Sequence, residues 1–363
     1  RVDATVNAEY LGGGSLGGCN FTASWFREPT YFRISKPEFA EWRFGPVQGY
    51  DNRSFLGRET GVLGSNGSGS VSTTSGSEQL KGMAYQYRTE MRVSDSAGQE
   101  ISASASTVVH PAAFYIGLSP AKNLAGFATK GKELNFDFKL VQPNGNAPLD
   151  NQLPAKKADK KIKLELLREN WKIVQQMGIG GTINTRYVKE MVNEITRDID
   201  LQNAGSFNFT VPKGGAYILR LSTTDRKGND VVTERRFYAS GSEWRYFGNQ
   251  SEEIKLICDK DEYAEGDTAK IMLQSPIEKG TYLITVERDS IISQEVRTFD
   301  QSVSIIDLPV KAEYLPVVYV TVSSFSLRSG EPAEDYDSPD LNKPKGYFGV
   351  APVHVNTEGK SMD

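Results

Sequence analysis

Apolar and polar residues alternate with period two along most of the 363-residue chain. Ala103-Ser-Ala-Ser-Thr-Val-Val, Lys163-Leu-Glu-Leu-Leu, Ser206-Phe-Asn-Phe-Thr-Val, Tyr217-Ile-Leu-Arg-Leu and Val317-Val-Tyr-Val-Thr-Val each read as a half-buried strand. Turn chemistry separates such runs at Pro143-Asn-Gly, Pro212-Lys-Gly-Gly and Arg226-Lys-Gly-Asn. One stretch is ambiguous. Val188, Met191, Val192, Ile195 and Ile199 have helical spacing, which fits a helix or a bulged strand, and the strand is preferred here. Gly12-Gly-Gly-Ser-Leu-Gly has the form of a dinucleotide fingerprint, but an alternating stretch follows it where that chemistry needs a helix, so it reads as a hairpin turn. Gly61 to Ser77, rich in glycine and serine, reads as a flexible connection.

Repeats divide the chain. Tyr87 is followed by Asp95 and Gly98, and Tyr217 by Asp225 and Gly228 at the same offsets; Tyr319 has Gly330 at the last of these, with Leu327 in place of the acid. Each reads as an aromatic core strand, a turn opened by Asp and closed by Gly, and a returning strand. The three tyrosines are expected to anchor three cores, and their separations of 130 and 102 residues suit sandwiches of about 100 residues. A second repeat marks where units begin, with Phe114-Tyr-Ile-Gly-Leu leading to Thr129-Lys-Gly-Lys and Ile254-Lys-Leu-Ile-Cys leading to Tyr263-Ala-Glu-Gly-Asp. The expectation is an all-β chain of three antiparallel sandwiches spanning 1–111, 112–250 and 251–363.

Composition narrows the chemistry. Net charge is -4 with no basic footprint, so no nucleic-acid partner is expected, and no run approaches the roughly 20 apolar residues of a transmembrane helix. Two cysteines, Cys19 and Cys258, and two histidines, His110 and His354, lie far apart, which offers no zinc spacing and no local catalytic constellation. No enzyme activity, cofactor, metal or catalytic residue is expected. The ends, Arg-Val-Asp and Lys-Ser-Met-Asp, suggest a piece of a longer protein.

Tyr263-Ala-Glu-Gly-Asp-Thr-Ala-Lys-Ile, Ser275-Pro and Tyr282-Leu-Ile-Thr-Val-Glu-Arg-Asp-Ser-Ile-Ile resemble the alpha-2-macroglobulin family in its bacterial form. So do Tyr314-Leu-Pro-Val-Val-Tyr-Val-Thr-Val and Tyr347-Phe-Gly-Val-Ala-Pro-Val-His-Val, and the likeness continues more weakly upstream through Gly214-Gly-Ala-Tyr-Ile and Ala8-Glu-Tyr. The resemblance implies three macroglobulin-like domains near the bait-region domain of a broad-spectrum endopeptidase inhibitor that closes on proteases after its bait is cut. It further implies target endopeptidases as partners of the full-length parent, contacts with other domains of the same chain, and a periplasmic or cell-envelope location, by a lipid anchor on a missing N-terminus or by secretion. The family's thioester joins a Cys to a Gln three residues later; Cys19-Asn-Phe-Thr and Cys258-Asp-Lys-Asp lack that context. The alternative reading is a surface adhesin or carbohydrate-binding array of immunoglobulin-like domains.

The candidate site is the acidic, proline-broken segment Arg328 to Lys345, with Glu331, Glu334, Asp335, Asp337 and Asp340 between the cations Arg328, Lys343 and Lys345. Such composition buries little apolar surface, and loop tips of this kind are where proteases cut. It reads as a bait-like, protease-sensitive loop, an extended acidic hairpin loop being the simpler reading.

Overall fold

In the strand Ala84–Ser94 alternate side chains turn inward, so that Tyr85, Tyr87, Thr89, Met91 and Val93 are buried while Arg88 and Arg92 face water. Alternation of this kind builds an all-β chain, whose sheets are antiparallel apart from two short parallel pairings. The computed structural model describes all residues except 48–52, 75–81, 96, 125, 178–182, 242–252, 278, 329–342 and 357–363, and the backbone alone over 172–177 and 183–187.

Three large apolar cores follow one another. The first gathers Phe21, Trp25, Tyr85 and Tyr87 between a four-stranded sheet (Ser54–Val62, Asn20–Thr30, Ala84–Ser94, Glu100–Val109, in spatial order) and the pair Val2–Asn7 with Ser68–Thr73. The second gathers Phe114, Phe136, Leu164 and Tyr217. It lies between the sheet containing Ala204–Thr210, Glu133–Val141 and Tyr115–Leu118 and a five-stranded sheet centred on Gly215–Thr224. The third gathers Tyr263, Tyr282, Tyr314 and Val320. Here a three-stranded sheet faces a five-stranded one whose order is Glu262–Tyr263, Gly346–Val355, Val317–Phe325, Gly280–Glu287 and Ile291–Phe299.

The repeated turn forms as its residues require. Asp95 Oδ1 accepts the amides of Ala97 (2.9 Å) and Gln99 (2.8 Å), and Asp225 Oδ1 accepts those of Lys227 (2.8 Å) and Asn229 (2.9 Å). Gly98 and Gly228 close the two turns at φ of 78° and 83°, a region that disfavours any residue with a Cβ. Tyr217 is fully buried, stacks on Phe237 at 5.1 Å and donates its hydroxyl to the Lys213 carbonyl at 2.8 Å.

Three sequence expectations are corrected. Tyr319 is not a core anchor: Val318, Val320 and Val322 occupy the inward positions of its strand, which leaves Tyr319 on the outer face at 45% exposure. Its unit is filled by Tyr263, Tyr282 and Tyr314 instead. Within Gly61–Ser77, residues 68–73 are a strand paired with Val2–Asn7 rather than a free connection. The strand Glu100–Val109 forms, yet is exposed on both faces up to Val108, because it is the edge of a four-stranded sheet opposed by only two strands.

The ambiguous stretch resolves into the strand Ile183–Asp200. Leu166 pairs with Ile195 but Leu167 with Asn193, so Glu194 is an extra residue. A bulge of this kind moves the alternation by one position. Val188 and Val192 before it, and Ile195 and Ile199 after it, therefore share a face, and the spacing of 4, 3 and 4 imitates a helix.

Replacing Tyr217 by Ala should destabilise its unit by about 3–5 kcal/mol, whereas Tyr319→Ala should change stability by about 0.5 kcal/mol or less. Denaturant unfolding of both variants checks the contrast, and equal losses would contradict the core assignment. Burial alone would raise the Asp225 carboxyl, but hydrogen bonds from Asn229, Ala113 and Lys227 outweigh it and hold the group below the usual carboxylate range. The stability it supplies is thus present above an unfolded-state pKa of about 3.9 and lost as pH falls through the lower folded value. Melting curves of the wild type and Asp225→Asn should converge as pH drops from neutrality to about 3, below that unfolded-state value.

Candidate functional site

The acidic segment leaves the third unit between two strands in the interior of the five-stranded sheet. Val317–Phe325 and Gly346–Val355 pair along their whole length, ending at Phe325 opposite Gly346. Beyond that rung the Ser326 amide donates to the Lys345 carbonyl at 2.9 Å, and the Lys345 amide to Ser326 Oγ at 3.0 Å. These bonds form the neck of the segment. Arg328 and Lys343 are exposed above it and Lys345 is half-buried within it. Glu331, Glu334, Asp335, Asp337 and Asp340 lie outside the described residues. Phe325 and Leu327 flank the neck at 76% and 89% exposure.

Two junctions join the three units. At the first, residues 31–47, which connect two strands of the first sheet, cross to the second unit. The short strand Arg43–Phe44 adds to the free edge of Tyr115–Leu118. Phe39 and Phe44 bury with Tyr115 and Val141, and Phe32 stacks on the Tyr115 ring at 4.1 Å. The fit depends on Gly117, because a Cβ there would lie 2.7 Å from Phe44 and 3.0 Å from Trp42. Polar bonds hold the far end: the Gly45 amide donates to Thr233 Oγ1 (3.1 Å), the Glu234 amide to the Gly45 carbonyl (3.0 Å), and the Val47 amide to Glu234 Oε2 (2.9 Å). The other oxygen of that carboxylate accepts from Arg220 Nε at 2.6 Å, so a buried charge is fully engaged.

At the second junction Phe127 and Ala216 pack against Met272 and Val303. Lys255 Nζ donates to Tyr238 Oη at 2.8 Å beside them. Gly126 lies so near the third unit that a Cβ would collide with the Cys258 carbonyl. Sequence reasoning missed both junctions. The signal for the first was present as Phe32, Phe39, Trp42 and Phe44, aromatic residues in a stretch with no alternation to bury them locally.

The cysteines and histidines are packing or surface groups. Cys19 and Cys258 are both free thiols. Burial pushes the Cys258 thiol up to about 11, which removes the thiolate that nucleophilic chemistry needs. His110 bonds the Tyr115 hydroxyl through Nδ1 at 2.8 Å, with its pKa lowered by burial, and His354 is exposed on a strand. Among the described residues no three His, Cys, Asp or Glu side chains cluster as metal ligands would, and no helix is long and apolar enough to cross a membrane.

Residues 254–362 match the family model of the alpha-2-macroglobulin bait region domain. The chain is 24% identical over 277 residues to an alpha-2-macroglobulin homolog of Nostoc, with 76% of this chain and 14% of that protein covered. It is 23% identical over 321 residues to the alpha-2-macroglobulin of Rickettsia conorii, covering 86% of this chain and 16% of that one. The family-model match over the third unit and these two relatives point to the same family, alpha-2-macroglobulin. The native conformation of E. coli alpha-2-macroglobulin is similar over 98% of this chain and 22% of that one, at 21% identity and a TM-score of 0.49. The chain thus spans about a seventh of the length of the curated relatives it matches. Within the family frame, the bait region domain match takes in the whole third core and the neck of the acidic segment.

Gly117→Ala should loosen the first junction by roughly 1–3 kcal/mol through overpacking while leaving the three cores folded. Hydrogen exchange would then speed up at Gly45, Val47 and Glu234, with Tyr87 and Leu219 unchanged; an unaltered pattern would mean that the close approach is unimportant.

Proposed function

We propose that this chain is a structural section of a bacterial alpha-2-macroglobulin, a broad-spectrum inhibitor that encloses endopeptidases after its bait is cut. The bait region domain match over the third unit, with the neck of an acidic loop inside it, carries the reading. The chain is divided into macroglobulin-like sandwiches over 1–111, 112–250 and 251–363, each with its own core. Its role is mechanical rather than catalytic. Other domains of the parent and the target endopeptidases are its partners, and the periplasm or cell envelope its location.

In this reading Arg328–Lys345 is the protease-sensing segment. Its ends are the neighbouring central strands Val317–Phe325 and Gly346–Val355, so a cut between Arg328 and Lys345 would leave two strand ends held only by their ladder and neck. The cations Arg328 and Lys345 suit a trypsin-like enzyme, Lys343 being protected by Pro344, and the acidic residues between them one that cuts after Glu or Asp.

Brief trypsin treatment of the 363-residue chain followed by mass spectrometry should find the first cut after Arg328 or Lys345, because Pro344 protects the bond after Lys343. A first cut elsewhere would remove the segment from consideration. The chain alone should inhibit nothing. The full-length parent, incubated with trypsin, should block its action on large protein substrates and spare small ones; full activity on large substrates would overturn the inhibitor reading.

A further inference from the structure

The first junction does more than join two units. Residues 31–47, lying on the second unit, bound a cavity of about 320 Å³ and a more open cleft of about 1030 Å³ beside it. Both are lined by Arg33, Trp42, Arg43, Phe44 and Arg235. The smaller volume is in the range of small-molecule sites, and the wall offers aromatic surface next to charge.

The charge is unbalanced. Several ionic groups of the lining are already engaged: Glu234 by Arg220 and the Val47 amide, Arg236 by Glu169 at 2.7 Å, and Lys122 by Asp137 at 2.9 Å. Arg33, Arg43 and Arg235 make no ion pair among the described residues, although Glu41 and Asp261 also border the larger cleft. Arg235 donates one Nη1 hydrogen bond to the Glu41 carbonyl at 3.1 Å, which fixes its guanidinium and leaves it other donors with no partner among the described residues. Its burial and the charge of Arg43 beside it bring its pKa down to about 10, against the opposing pull of the Glu41 carboxylate. Arg235 is half-buried while Arg33 and Arg43 are exposed, so an anion seated among them would meet one fixed guanidinium and two that face solvent.

We propose that this junction cleft binds a phosphate-bearing molecule, with Arg43 and Arg235 gripping the phosphate and Arg33 at the rim. Guanidinium forks match phosphate oxygens in pairs. A group carrying about two negative charges balances several arginines better than a single carboxylate does. Trp42 and Phe44 would meet the uncharged remainder. Because the site is made from both units, an occupied cleft would also tighten the junction.

The test uses the 363-residue chain with two probes. Calorimetric titration with inorganic phosphate, against chloride at equal ionic strength, reads the free anion. Sedimentation with phosphatidylcholine vesicles, with and without phosphatidic acid, reads a lipid headgroup. Saturable binding in either arm, weakened tenfold or more by Arg43→Gln or Arg33→Gln and less than twofold by the distant Arg92→Gln, supports the site, and the responding arm identifies the source. Melting curves of each variant verify folding, and Arg33→Gln stands in should Arg43→Gln unfold. No saturable binding in either arm, or equal weakening by Arg92→Gln and Arg43→Gln, would overturn the proposal.

Discussion

The strand Tyr115–Leu118 is buried at all four residues and has a backbone edge that its own unit does not cover. Buried amide and carbonyl groups without partners are costly, so such an edge must be paired or wetted. Arg43–Phe44 pairs it, and this strand belongs to a loop of the preceding unit. The requirement to satisfy one edge therefore ties two cores together. Gly117 permits the approach, and the aromatic contacts of Phe32, Phe39 and Phe44 offset the entropy of ordering a loop with no local core.

The second junction has a different character. Phe127, Ala216, Met272 and Val303 form a small apolar cluster, and the Gly126 contact sets how near the backbones come. Apolar contact is non-directional, whereas the hydrogen-bonded ladder and the Gly45, Val47 and Glu234 bonds of the first junction have fixed geometry. The first joint is thus the more directional of the two.

Much of this was legible in the sequence. Alternation identified the strands, and Asp and Gly at constant offsets identified the turns of the first two units, because both features act over a few residues. The errors arose where local pattern depends on what lies across the sheet. Tyr319 repeats the spacing of Tyr87 and Tyr217, yet Val318 and Val320 hold the inward positions of its strand. Glu100–Val109 alternates as a half-buried strand does, but it is exposed at the edge of a sheet that only two strands oppose. Val188 to Ile199 looks helical because Glu194 interrupts a strand, and the pairing partner Leu166–Leu167 reveals the interruption.

By itself, the sequence determined the all-β class, the two Asp–Gly turns, the family likeness and the acidic segment, all of which depend on neighbours along the chain. Only the tertiary structure decided that residues 31–47 belong to two units at once, that Tyr319 faces outward, and that Arg33, Arg43 and Arg235 meet in one cleft. The last three residues show why: Arg235 lies 192 positions after Arg43. Their proximity is created by pairing one strand edge across two units, and no local periodicity encodes that event.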